Sequence, residues 1–195
     1  MSAQKIVKPS AESLLDAART ASSGGLPPVE RWNPPFCGDL DIRIARDGTW
    51  HYLGTPIGRP AMVRLFASIL RRDGDEYFLV TPVEKVRITV DAAPFVVVDV
   101  TARGSGAGQV LHFLTRTGDA VAAGPDHPIR VERDPETGEP EPMVLVRRNL
   151  WALIDRKTFY RLVEMGTTEA VDGTDWFGLW SGGQFFPVIP AADLE

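Results

Sequence analysis

Turn signals cut this chain into short pieces, and that limits the folds open to it. Asp47-Gly48, Thr117-Gly118-Asp119 and Ser181-Gly182-Gly183 each stand between two short runs rich in apolar residues. Punctuation of this kind builds hairpins. Residues 41–46 alternate apolar with polar, and Trp50, His51, Tyr52 and Leu53 form the return strand. Ile42, Ile44, Trp50 and Tyr52 then share one buried face. Further strands are read at 77–80, 85–90, 95–102, 109–116, 129–132, 144–147, 150–154, 176–180 and 184–188, with the valine-rich 95–102 central. Residues 104–108 are a glycine-rich connector and 134–142 an exposed polar tip.

Three helices interrupt the strands. Ser10 caps the first, which buries Leu14, Leu15 and Ala18 and is ended by residues 22–25. Pro60 opens the second, which carries Met62, Leu65, Phe66, Ile69 and Leu70 at helical spacing. It is expected to run to Arg72, with Arg71 and Arg72 in its last turn and Gly74 closing it. Asp155 caps the third, bearing Phe159, Leu162 and Val163 and closed by Gly166. The tail after Pro190 is expected to fray. Many strands joined by short turns, with few helices, indicate an α+β fold of mostly antiparallel sheets and not a doubly wound one. Residues 50–80 and 150–180 share a strand–helix–strand order, which suggests a degenerate duplication.

Bulk properties narrow the function. At 195 residues the chain suits one domain or two small ones. A net charge of −5 disfavours nonspecific nucleic-acid binding through phosphate neutralisation. Cys37 is the single cysteine, so no internal disulfide forms. The N-terminal stretch lacks the apolar core of a secretion signal, and no apolar run is long enough to span a bilayer. The expected location is cytoplasmic, without membrane contact.

No catalytic signature is legible, and no cofactor or metal site. Gly104, Gly106 and Gly108 fail the dinucleotide fingerprint, because Gln109 stands where the third glycine belongs and a strand pattern follows. His51, His112 and His127 are not at metal-ligand spacing. Three constellations remain. Arg59 lies beside a helix N-terminus, where free N–H groups favour an anion. Thr81, Glu84 and Lys85 sit on a short connector able to meet a polar ligand or to pair internally. Arg147 and Arg156 flank a strand and a helix that carries Tyr160, and guanidinium groups receive phosphates in a bidentate manner. For each, a purely structural role is the simpler alternative.

Four segments together resemble a known family. D-x-D-I-R-I-x-x-D-G-T-W-x-Y-x-G-x-P-I-x-R at 39–59, V-R-L-F-A-S-I-L at 63–70, Y-F-L-V-T-P-V-E-K at 77–85 and L-W-A-L-I-D-R-x-x-F-Y-R-L-V at 150–163 are similar to a proteobacterial family catalogued as domain of unknown function 1285. The resemblance implies a two-lobed protein built from a duplicated motif. It implies a C-terminal lobe like a pleckstrin-homology β fold, no assigned enzymatic activity, an inter-lobe cleft for a nucleotide-like ligand, and a signalling role. It brings no set of functional residues.

The expectation is an N-terminal α+β lobe over 10–88 and a C-terminal lobe over 89–190. The preferred function is a non-catalytic ligand-binding or signalling module. An anionic, nucleotide-like molecule would meet Arg59, Lys85 and Arg147 or Arg156 in the cleft, with Thr81 and Glu84 beside them and Trp50, Tyr52 or Tyr160 as an apolar or stacking wall. The alternative is an adaptor that binds a protein partner through a sheet edge or groove. An unrecognised hydrolase would need carboxylates or a Ser/His/Asp set brought together by the fold.

Overall fold

Ser10 opens the first helix as its side chain predicts. In the computed structural model, which describes residues 10–22 and 24–194, α1 spans Ala11–Ala21. The Ser10 hydroxyl accepts from the Ser13 N–H at 3.2 Å, and the Ser13 hydroxyl accepts from the Ser10 N–H at 3.3 Å. Such a cap stabilises a helix by about 1 kcal/mol. Leu14 and Ala18 are buried where α1 packs on α2 (Pro60–Ser68). Residues 1–9, Ser23 and Glu195 lie outside the described residues, and with them the reading of the extreme N-terminus.

The chain divides between Asp91 and Ala92 into two compact units. The first holds β1 (Phe36–Ile44), β2 (Trp50–Tyr52), β3 (Thr55–Pro56), β4 (Leu70–Asp73), β5 (Glu76–Val80) and β6 (Lys85–Val90) in one sheet of order β3-β2-β1-β6-β5-β4. Asp47-Gly48 makes the expected turn, which pairs Ile44 with Trp50 and Ile42 with Tyr52. Ile42, Ile44 and Trp50 are buried, and Trp50 stacks on Phe66 of α2 at 6.2 Å. Tyr52 is only half-buried.

The second helix is shorter than its spacing predicts. It stops at Ser68, and Leu70 pairs with Leu79 in an antiparallel hairpin. Leu70 is fully buried, as a helix would also have it, so the apolar pattern does not distinguish the two. The distinction lies in Gly74, whose φ of 61° belongs to the tight turn between β4 and β5. Arg71 therefore does not complement a helix end. It donates to the carbonyls of Val29 and Trp32 at 2.9 and 2.8 Å and pairs with Asp73.

The second unit holds β7 (Phe95–Arg103), β8 (Val110–Thr115), β9 (Ala120–Ala122), β10 (Ile129–Arg133), β11 (Pro140–Arg147) and β12 (Leu150–Ile154) in the order β10-β11-β12-β7-β8-β9. Read from the other edge, this is the order of the first sheet. Each sheet is two three-stranded antiparallel meanders, joined where the first and last strands run parallel: β1 with β6, and β7 with β12. Local turn signals give the meanders. The parallel seams join residues far apart in sequence, which is why an antiparallel reading misses them.

The repeat in the structure is thus β1–β6 against β7–β12, not 50–80 against 150–180. α2 lies between the third and fourth strands of its sheet, whereas α3 (Arg156–Val163) follows the sixth strand of the other. Asp155 caps α3 as expected, accepting from the Thr158 N–H at 2.7 Å. Thr158 and Leu162 face inward where α3 packs on β7. Arg161 ties the two together through Asp99 and the Val100 carbonyl, both at 2.6 Å.

A third sheet completes this unit: β13 (Thr167–Val171), β14 (Thr174–Ser181) and β15 (Gln184–Pro190). β13 has no counterpart in the sequence reading, because Thr167-Thr168-Glu169 carries no apolar alternation. Buried Ser181 fastens this sheet to β8 and its neighbour, accepting from the Leu111 N–H at 2.9 Å and donating to the Ala123 carbonyl at 2.7 Å. The polar tip of the β10–β11 hairpin is reduced to residues 134–139, since β11 begins at Pro140. The tail after Pro190 is not frayed throughout: Ala191–Asp193 forms a 3-10 turn.

Candidate functional site

The residues singled out by sequence fall in both units. Tyr52, Arg59, Thr81, Glu84 and Lys85 belong to the first, and Arg147, Arg156 and Tyr160 to the second. Thr81, Glu84 and Lys85 are brought together by one turn. Buried Thr81 accepts from the Glu84 N–H at 3.2 Å and donates to the Glu84 carbonyl at 3.3 Å, so its hydroxyl shapes the turn. Glu84 accepts from the Ser13 hydroxyl at 3.3 Å. Burial pushes its carboxyl up despite that bond. Lys85 pairs with Asp73 at 3.2 Å and lies 4.4 Å from the centre of the Phe78 ring. Burial opposes ionisation of Asp73, but hydrogen bonds from Arg71 and Lys85 outweigh it and hold the carboxyl low.

Arg59 stands at the N-cap of α2, exposed, and its side chain makes no capping bond. Tyr52 pairs across the strands with Ile42 and Thr55. Arg147 is enclosed. It pairs with Asp119, lies 4.7 Å over the Phe95 ring, and has its pKa lowered by burial. Thr115 and Thr117 donate to the same Asp119 carboxylate at 3.0 and 2.6 Å. Arg156 and Tyr160 are exposed on α3, and Arg156 lies 3.6 Å from Glu139.

A shallow hollow of about 600 Å³ on the first sheet is lined by Asp39, Asp41, Asp75, Glu76 and Arg87 among others. Arg87 grips Asp39 with a two-pronged fork, at 2.7 and 3.0 Å, and also pairs with Glu76. That hydrogen bond holds the Asp39 carboxyl below its ordinary range. Among the described residues no group of three or more His, Cys, Asp or Glu side chains is placed to hold a metal ion.

A second concavity differs in kind. In the second unit, Val131 of β10, Phe159 and Val163 of α3, Phe177 of β14, Ile189 of β15 and Leu194 enclose about 290 Å³. Arg133 is the one charged residue that lines it among those described. Positions 159 and 163 are one helical turn apart and share a face, while 158 and 162 share the neighbouring, buried face. α3 therefore presents two faces, Thr158 and Leu162 packed inward and Phe159 and Val163 on the cavity. Val163 is 40% exposed and Leu194 49% exposed, so the cavity opens to solvent. Arg156 begins α3 one turn before Phe159, next to Glu139, the chain neighbour of the lining residue Pro140. Arg133 donates to the Gly138 carbonyl at 3.2 Å.

The sequence reading put Phe159 and Val163 on the helix capped by Asp155 and singled out none of Arg133, Phe177, Ile189 and Leu194. The available signal was an excess of apolar residues. Val188 and Ile189 are adjacent apolar residues, and both line the cavity where the pairing of β15 with β14 shifts register.

A chain of two mostly-β units, each founded on the same six-stranded mixed sheet, is the class that these observations define. Residues 27–93 match the model described as "Domain of unknown function (DUF1285), N-terminal domain", and residues 94–188 match "Protein of unknown function (DUF1285), C-terminal domain". The chain belongs to the DUF1285 family. It is similar to the crystal structure of a DUF1285 family protein from Silicibacter pomeroyi DSS-3, with 61% identity and a TM-score of 0.84, covering 93% of this chain and 97% of that one. A DUF1285 family protein from Shewanella baltica OS155 is 32% identical, with a TM-score of 0.51, over 65% of this chain and 92% of that one. No curated protein matches. No helix among the described residues is long and apolar enough to cross a membrane.

Proposed function

We propose that the protein is a non-catalytic ligand-binding module and that the apolar cavity of the second unit is its site. The observation that carries this reading is an open, apolar concavity with one basic residue, Arg133, in its lining, the usual form of a small-molecule site. The strand order shared by the two sheets supports an internal duplication. α3 and the third sheet stand outside that repeat, and the cavity is built largely from them. At about 290 Å³ the cavity lies at the lower end of small-molecule sites, which supports a compact ligand with an apolar body.

A second reading is the adaptor, with a pleckstrin-homology-like C-terminal unit in a signalling role. Tyr160 is 62% exposed one turn from half-exposed Val163, an arrangement that suits an apolar side chain of a peptide. Thermal shift against small amphiphilic acids, nucleotides and apolar peptides separates the readings. The ligand reading expects a saturable rise in melting temperature with a small amphiphile, lost in Val163→Trp, which fills the cavity. A rise with nucleotides alone, retained in Val163→Trp, contradicts it.

A further inference from the structure

We infer that the ligand of this cavity is a small monocarboxylic acid with an apolar body, its carboxylate received at the mouth by Arg133 and Arg156; this rests on the ligand-binding reading above. Three observations lead there. The walls are apolar and offer a buried polar atom no partner, so any polar group must stay at the opening. The cation that lines the cavity is Arg133, which is exposed, and Arg156 lies 3.6 Å from Glu139, the chain neighbour of the lining residue Pro140. The volume of about 290 Å³ suits a compact ligand, such as a medium-length chain or a single ring.

Charge complementarity settles acid over base. Glu139 is the countercharge recorded for Arg156, and at 3.6 Å with side chains 75% and 63% exposed the pair is loose. An exposed pair of this kind is weak. A ligand carboxylate with its tail in the cavity meets Arg156 without having to desolvate both partners anew. Glu139 then acts as a gate on affinity, since it competes for the same guanidinium.

The test uses octanoate and its neutral relative 1-octanol as probes of the full-length chain in calorimetric titration. Octanoate is expected to bind roughly fivefold more tightly than octanol, the gain typical of an exposed charge pair. Arg133→Met with Arg156→Met is expected to remove that preference. Glu139→Gln is expected to tighten octanoate alone. These positions are exposed or half-exposed, so the variants fold, and far-ultraviolet circular dichroism verifies it. If octanol binds as well as octanoate, the assignment of an acid fails and the cavity reading survives. If neither probe binds, both fail.

Discussion

The Arg147 guanidinium lies 4.7 Å over the Phe95 ring and pairs with Asp119, whose carboxylate also accepts from Thr115 and Thr117. The pair ties the end of β11 to the turn between β8 and β9, with both side chains mostly shielded from water. It is a strut within the second unit. A buried charge of this sort is costly to abandon and cheap to replace as a pair.

Asp119→Ala is accordingly expected to destabilise the protein by about 3 kcal/mol, because it leaves the arginine's charge buried. Joint replacement by Arg147→Leu and Asp119→Leu is expected to cost less than Asp119→Ala. Urea midpoints of the three proteins check this. A double variant that loses as much as Asp119→Ala, or more, would contradict this.

Trp50 is the central side chain of the first core, stacked on Phe66. Trp50→Ala is expected to cost about 3–5 kcal/mol and Trp50→Phe distinctly less. Thermal unfolding followed by circular dichroism measures both.

Glu84 gives a pH dependence. Its carboxyl is raised by burial above the ordinary 4.5, so the native state holds a proton that the unfolded chain has released. Stability then falls as pH rises through that window. Glu84→Gln keeps an acceptor for the Ser13 hydroxyl and carries no charge. It is expected to be more stable than the parent at pH 7, with the gap closing toward pH 4. A gap that widens at low pH would contradict the burial of this carboxyl.

Gly178 faces the Phe186 carbonyl and the Phe185 ring so closely that an added methyl would press into both. Gly178→Ala is expected to cost about 1–3 kcal/mol by overpacking. Because β14 supplies Phe177 to the cavity, the same variant is expected to weaken ligand binding.

What the sequence made legible was local. Ser10 and Asp155 sit at their caps because a hydroxyl or carboxylate beside free N–H groups needs no distant partner. Ile42, Ile44 and Trp50 share a face because a tight turn fixes their register. Leu70 shows where such reasoning ends: helix and strand bury it equally, and its pairing with Leu79 is decided by the turn at Gly74. The parallel seams β1–β6 and β7–β12 leave no local trace at all. Of the candidate site, Arg156 was visible as a basic residue at a helix start. Arg133, Phe177, Ile189 and Leu194 gain meaning only when four elements converge.

The central claim is that the cavity of the second unit binds a small ligand. Methyl-resolved NMR of the full chain during octanoate titration tests it most directly. We expect saturable shifts concentrated on the methyl groups of Val131, Val163, Ile189 and Leu194. Shifts absent from those methyls, or spread evenly over both units, would contradict the claim.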